Sequence, residues 1–318
     1  MRAVHRSVAR LATVAALLAA TVVVACSSPQ SPSVTATPSG RARASSAPTL
    51  DPAERAGAVV AQMTDADLVG QVLMPSIRLE DPARGSASLV REFRLGGVIL
   101  MGNAEDMPSG GTAAQVRALT DELQSAARTL PAKVPLLVAT DQEYGWVTRI
   151  KSGMVQLPSA MAFGAAGRPD LTEAAWRGAG AEMAAVGVNV DFAPDADVIV
   201  TPGNLVIGSR SYGSDPAAVA IQVAAAVRGL QSAGVAATVK HFPGHGRTTV
   251  NSHTALPVLG QSRKRLGSTD LPPFRAGIDA DSWLVMSGHL DVRAIDPGMP
   301  ASFSHTIAQP WLHGIAAT

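Results

Sequence analysis

The apolar run Val235-Ala-Ala-Thr-Val239 passes directly into Lys240 and His241, and this junction constrains the fold more than any other feature of the chain. A continuous apolar run marks a strand buried on both faces, the condition that a parallel sheet wrapped by helices provides. Polar residues at its carboxyl end fall where α/β folds place their chemistry. The chain continues Phe242-Pro-Gly-His-Gly-Arg-Thr-Thr-Val-Asn-Ser-His253, a loop rich in glycine that carries a third histidine away from the strand. Lysine and histidine side chains suit the gripping of sugar hydroxyls, and a histidine on a loop suits proton transfer.

Other apolar runs alternate with helix-like segments in the same way. Candidate strands cover 69–74, 97–100, 134–139, 187–192, 235–239 and 283–286, although the first stretch could equally close a helix that begins near Thr64. Asp170 is expected to cap a helix running to Gly187, and Asp215-Pro216 to open another that stops near Gly234. This makes about six β/α units, two short of a closed eight-fold barrel. The reading is α/β, a TIM-type (β/α) barrel that is incomplete, with an open six-unit sheet as the alternative. The barrel is preferred because each candidate functional residue lies just after a strand.

The amino terminus reads as a processing signal. Arg2, Arg6 and Arg10 precede an apolar stretch over 11–25, too short to span a bilayer comfortably, which ends Val23-Val-Ala-Cys26 in the manner of a bacterial lipobox. Cys26 is the single cysteine, so it has no disulfide partner within the chain, and it is expected to be lipidated after cleavage. Residues 27–50, rich in Ser, Pro, Thr and Ala, read as a disordered tether, which leaves 51–318 as the folded part. Removing the three arginines leaves 23 basic and 25 acidic residues, a balance of −2. That balance and the 4% aromatic content give no footprint for nucleic acid. The expected location is extracytoplasmic, held to the membrane through a lipid at Cys26, and the chain is read as a monomer.

Four strand ends carry charge that an apolar core does not tolerate without reason. They read Asp141-Gln-Glu-Tyr-Gly-Trp-Val-Thr-Arg149, then Asp191-Phe-Ala-Pro-Asp-Ala-Asp-Val198, Ile207-Gly-Ser-Arg-Ser-Tyr-Gly-Ser-Asp-Pro216, and the stretch from Lys240 to His253. Taken together these motifs closely resemble those of β-N-acetylhexosaminidases of glycoside hydrolase family 3. The resemblance runs from about Met63 to Ser304 and implies that Asp141, Arg149, Arg210, Lys240 and His241 hold an N-acetylglucosamine-containing saccharide, with His253 as general acid/base. In the family an aspartate stands two residues before that histidine, where this chain has Asn251, so the imidazolium lacks its charged partner. Tyr144 and Trp146 replace a glycine and an arginine, which would add bulk at the rim.

Each assignment has a plainer counterpart. Asp141 can cap a helix while Arg149 pairs with Glu143 at the surface, and Arg210 can sit in a buried ion pair with a neighbouring aspartate. Asp197 reads as structural, pinning loops through backbone hydrogen bonds. His241, His245 and His253 could suggest zinc, but the loop offers no supporting carboxylate, and no metal or organic cofactor is expected.

The family's nucleophilic aspartate lies at the end of a seventh strand. Val285-Met-Ser-Gly-His289 resembles the end of the sixth strand, Pro300-Ala-Ser-Phe-Ser304 the opening of the next helix and Trp311-Leu-His-Gly-Ile315 its body. The nucleophile is therefore expected beyond the residues given, and Asp291 and Asp296 are read as loop residues. The implied reaction is removal of terminal β-linked N-acetylglucosamine by a retaining mechanism, from peptidoglycan fragments. A non-catalytic amino-sugar-binding lipoprotein and an inactive fragment stand as alternatives.

Overall fold

The computed structural model describes residues 51–77, 85–101 and 111–311. The expected signal segment, Cys26 and the expected tether lie outside them, as does most of the helix body expected at 311–315. Among the described residues no helix is long and apolar enough to cross a membrane.

Six parallel strands form the central sheet: β1 (Ser76–Ile77), β2 (Gly97–Leu100), β3 (Leu137–Thr140), β4 (Val190–Asp191), β5 (Ala236–Phe242) and β6 (Leu284–Ser287). Each strand pairs with the next in chain order, with Ala139 opposite Val190, Val190 opposite Ala236 and Thr238 opposite Leu284. A doubly wound sheet reverses direction at a switch point. This sheet does not, and strictly sequential winding is that of a barrel wall. Among the described residues β1 and β6 are not paired with each other.

Of the two readings of 69–74, the structure shows the helix that begins near Thr64 and not the strand. Asp65–Gln71 is a helix, and the strand begins later, at Ser76. The deciding signal is local: Thr64 and Asp67 form a reciprocal capping box, and Arg94 reaches Asp67 at 3.0 Å. The expected cap at Asp170 is also displaced. The helix Pro169–Ala185 has Arg168 at its N-cap and Pro169 in its first turn, where a fixed φ and a missing N–H cost nothing. The Asp170 carboxylate instead takes hydrogen bonds of 2.9 and 2.7 Å from Arg168. Asp215 behaves as expected, accepting the Ala217 and Ala218 N–H groups at the head of the helix Pro216–Ser232. Ser304 opens a last helical turn over Ile307–Trp311, its Oγ accepting the Ile307 N–H at 3.1 Å.

The core lies between the sheet and these helices. Val138, Val223, Val227, Val239 and Phe274 are among its buried members. The helices Pro169–Ala185 and Pro216–Ser232 cross at Gly180 and Gly229. A methyl group on Gly229 would lie 2.5 Å from the Glu173 carbonyl oxygen and 2.8 Å from Trp176 Cβ. Replacing Gly229 with alanine raises helix propensity by about 1 kcal/mol, but the obstacle is backbone and cannot rotate away. Overpacking of this kind costs about 1–3 kcal/mol, so Gly229→Ala is expected to lower the midpoint of denaturant unfolding. An unchanged or raised midpoint would mean that the two helices can separate freely.

Candidate active site

The loops that follow β3, β4, β5 and β6 enclose a cavity of about 410 Å³ at the carboxyl ends of the strands. Asp141, Arg149, Arg210, Lys240, His241, Asn251 and His253, all singled out from the sequence, line it together. These seven side chains come from three separate stretches of chain, 141–149, 207–216 and 240–253. Only the winding of the sheet brings them to one place.

The loop after β3 is stapled from within by Gln142. Its buried amide oxygen accepts the N–H groups of Arg149 and Ile150 at 3.0 and 2.9 Å, and its Nε2 donates to the Ile150 carbonyl at 3.0 Å. The staple folds the Arg149 end of the loop back beside Asp141, where Arg149 Nη2 lies 3.5 Å from Asp141 Oδ2. Lys240, only 1% exposed, extends from the end of β5 to Asp141 Oδ1 at 2.8 Å and Glu143 Oε1 at 2.5 Å. Arg210 forks onto Glu143 with bonds of 2.7 and 2.9 Å. Glu143 is therefore not a surface partner of Arg149: it is buried and joins Lys240 to Arg210. The plainer reading of Arg210 holds in kind, except that its principal partner is Glu143, with Asp195 farther off at 3.7 Å.

Burial alone would raise the Glu143 pKa, but the charges of Lys240 and Arg210 outweigh it and hold the carboxyl at about 2. Lys240 is pushed up to about 12, because the attraction of Glu143 and Asp141 exceeds the penalty of burial. Both charges persist across the physiological range.

Behind this network stands a second one. Asp197 Oδ1 accepts the backbone N–H of His245 at 2.6 Å and of His241 at 3.4 Å, which is the loop-pinning role read from the sequence. Asp197 Oδ2 also lies 2.7 Å from His241 Nδ1. That contact fixes the proton on Nδ1 and leaves Nε2 as the acceptor 3.3 Å from Arg210 Nη2. Burial, together with Arg210 and Lys240, pushes the His241 pKa down to about 4, so the ring is neutral. Burial and the charge of Asp197 raise Asp195 to about 8, and its Oδ2 accepts no hydrogen bond from the described residues.

Supporting carboxylates do stand beside a histidine, contrary to the expectation from the loop alone. Asp195, Asp197 and His241 hold ligand-type atoms within 4.8 Å of one another. The set does not fit a divalent cation, however. His241 Nδ1 and Asp197 Oδ2 are spent on each other, and the guanidinium of Arg210 lies beside Asp195.

At the mouth, Asn251 Oδ1 accepts the backbone N–H of His253 at 2.9 Å. The amide thus shapes the turn that presents the imidazole and does not orient the ring itself. The bulk expected at the rim comes from Trp146 alone. Tyr144 is buried, edge-on to Trp176 with ring centroids 5.6 Å apart. Gly246 admits the loop to the site, because a β-carbon there would overlap the Val198 carbonyl. Sequence reasoning passed over Glu143 and Asp195 as site residues, although both lie inside motifs that it quoted. Their signal was a carboxylate two to four residues past the end of a buried strand.

A sequentially wound parallel sheet with a polyionic cavity at its carboxyl ends defines a (β/α)-barrel-type domain. The chain belongs to glycoside hydrolase family 3: residues 63–313 match the glycosyl hydrolase family 3 N-terminal domain. It is 33% identical over 303 residues to the β-hexosaminidase LpqI of Mycobacterium tuberculosis, covering 94% of this chain and 73% of that one. It is 37% identical over 216 residues to β-hexosaminidase A of Pseudoalteromonas piscicida, covering 66% of this chain but 35% of that protein. Among solved structures, the family 3 β-N-acetylglucosaminidase of Paenibacillus sp. str. FPU-7 superposes with a TM-score of 0.74 at 40% identity, over 80% of this chain and 48% of that one. The β-N-acetylhexosaminidase of Beutenbergia cavernae gives a TM-score of 0.74 at 32% identity, over 81% and 76%.

Removing the charge of Glu143 leaves two buried cations without their shared partner. Breaking a buried pair in this way costs about 3–5 kcal/mol, and Glu143→Gln is expected to lose stability on that scale at pH 7. The pH dependence has a definite sign. The folded pKa lies below the ordinary value of 4.5, so the contribution of Glu143 is present above that value and is lost as pH falls through about 2. Unfolding curves from pH 7 to pH 2 should show the gap between native protein and variant closing at the acid end. A constant gap would place the ion pairs outside the energetics of folding.

Proposed function

We propose that this chain binds a terminal β-linked N-acetylglucosamine residue, drawn from peptidoglycan fragments, as part of a glycosidase that removes it by a retaining mechanism. The observation that carries the reading is the convergence of seven side chains, chosen from three separated motifs, on one cavity. Its volume is about 410 Å³, within the range of small-ligand sites. The names of the relatives, β-hexosaminidase and β-N-acetylglucosaminidase, agree with it.

Asp141 and Arg149 supply acceptor and donor groups for ring hydroxyls, and Lys240 and His241 close the floor. Arg210 faces the same space, its guanidinium set by Glu143 to meet a hydroxyl or an acetamido carbonyl. His253 acts at the mouth. As general acid it gives a proton to the glycosidic oxygen as the bond to the anomeric carbon breaks, and as general base it later takes one from the attacking water. A carboxylate nucleophile completes such a mechanism.

A second reading, amino-sugar binding without cleavage, is favoured by one observation. Among the described residues the carboxylates lining the cavity are Asp141 and Glu143, and both are held by cations. The proposal also places the chain outside the cytoplasmic membrane as a monomer tethered through a lipid at Cys26. Cys26→Ala is expected to move the protein from the membrane fraction to the soluble one.

Two measurements test the central reading. Calorimetric titration should show N-acetylglucosamine binding, which Arg149→Met weakens by about 1.5–3 kcal/mol through loss of a charged hydrogen bond. Release of the aryl group from an aryl β-N-acetylglucosaminide should fall about 10²–10⁴-fold in His253→Ala with binding little changed. In Asn251→Asp, which adds a charge to the turn beneath the imidazole, turnover is expected to rise. Binding without any release supports the second reading, and absence of binding contradicts both.

A further inference from the structure

Positive charge gathers on one face of a chain that is nearly balanced as a whole, with 26 basic and 25 acidic residues. Between Thr254 and Ile278 stand four basic residues, Arg263, Lys264, Arg265 and Arg275, all exposed. The single acid of that stretch, Asp270, is buried and bound to Arg247 at 2.9 Å. Among the described residues none of the four is in an ion pair with a carboxylate. Arg263 Nε donates to the Ala294 carbonyl at 2.9 Å, which sets it beside Arg293, and Arg275 Nη1 donates to the Gly267 carbonyl at 3.5 Å. The Arg293 side chain is 65% exposed and lies 3.9 Å from Asp291. Like charges gathered on one face repel, and an anionic surface relieves that repulsion.

Large apolar side chains border this cluster. Val258–Leu259 pairs in parallel with Asp291–Val292, and Asp291 also bridges to Pro300. The Arg293 N–H donates to the Leu259 carbonyl at 3.2 Å. Leu256, Val258, Met299 and Phe303 are therefore carried on segments that adjoin the cations, and all are exposed, Phe303 at 77%. Lysine and arginine mixed with bulky apolar groups on one face is the composition of a surface that sits in the headgroup layer of a bilayer. A soluble polyanion would use the cations and leave the apolar groups in water.

We propose that this face docks on a bilayer surface bearing anionic phospholipid headgroups, the cations meeting the phosphates while Phe303 and its apolar neighbours enter the interface. This deepens the placement at the membrane given under Proposed function and rests on it. The tether expected over 27–50, as a flexible coil of 24 residues, has an r.m.s. reach of about 25–30 Å. An anchored domain then meets the bilayer at about millimolar effective concentration. A contact too weak to hold the protein alone suffices to orient it, which is why Cys26→Ala is still expected in the soluble fraction. The docking face adjoins the mouth of the cavity. His253 precedes Leu256 by three positions, and His289, which lines the cavity, has its Nδ1 2.6 Å from Ser302 Oγ. Docking holds that mouth beside the headgroup layer.

Co-sedimentation of the full chain carrying Cys26→Ala with lipid vesicles tests the face without the lipid anchor, which fractionation tests separately. Vesicles of phosphatidylglycerol and phosphatidylcholine in equal parts should bind the protein at low salt and release it at about 0.5 M salt. Vesicles of phosphatidylcholine alone should not bind it. Reversing three charges together, with Arg263→Glu, Lys264→Glu and Arg265→Glu, should weaken binding about 100-fold, at about fivefold per cation. Phe303→Ser, which keeps every charge, should weaken it about tenfold. All four positions are exposed, so the midpoints of denaturant unfolding should not fall. Equal binding to both kinds of vesicle, or unchanged binding in either variant, would overturn the docking face. Binding to soluble dextran sulfate with none to the vesicles would assign the cluster to a polyanion and also overturn it.

Discussion

One buried carboxylate, Glu143, accepts hydrogen bonds from Arg210 and lies 2.5 Å from the Lys240 ammonium, and the spacing of the whole cavity follows from that junction. Neither cation could be placed so deep alone, because desolvation would neutralise a lysine and force an arginine outward. With Glu143 between them both stay charged and point into one space. Arg149 and Asp141 extend the chain of alternating charge toward the mouth. The result is a preorganised set of donors and acceptors whose positions are fixed before any ligand arrives.

The same logic governs the histidine of the floor. Asp197 ties the backbone of the loop after β5 and fixes the ring proton of His241, so one aspartate sets both the path of the chain and the tautomer. Among the described residues the His253 ring has no such support. Its loop is shaped by Asn251 through the backbone, and the imidazole stands exposed at the mouth. In the proposed function, recognition falls to this rigid floor and proton transfer to the exposed imidazole.

Much of this was legible in the sequence for identifiable reasons. The unbroken apolar run before Lys240 announced a buried parallel strand, and the residues just past each such run became the cavity. The stretch at 69–74 stayed open between a strand and the end of a helix beginning near Thr64, because apolar content alone does not separate the two. The Thr64–Asp67 capping box carried the answer. Asp170 failed as a cap because the helix starts one residue earlier, on Pro169. Glu143 was undervalued because its role depends on Lys240, about a hundred positions away, and only the closing of the sheet reveals that pairing. The burial of Tyr144 was likewise invisible, since two aromatic residues that flank Gly145 in a turn give no sign of which one faces inward.

The central claim is that a single amino-sugar ring sits among the side chains that Glu143 holds in place. The most direct measurement is the crystal structure of the protein with N-acetylglucosamine bound. The account predicts a pyranose within hydrogen-bond distance of Asp141, Arg149, Arg210, Lys240 and His241, with its anomeric oxygen toward His253 and the Glu143 ion pairs undisturbed. A sugar seated elsewhere on the molecule, or one that displaces Arg210 from Glu143 in order to bind, would contradict it.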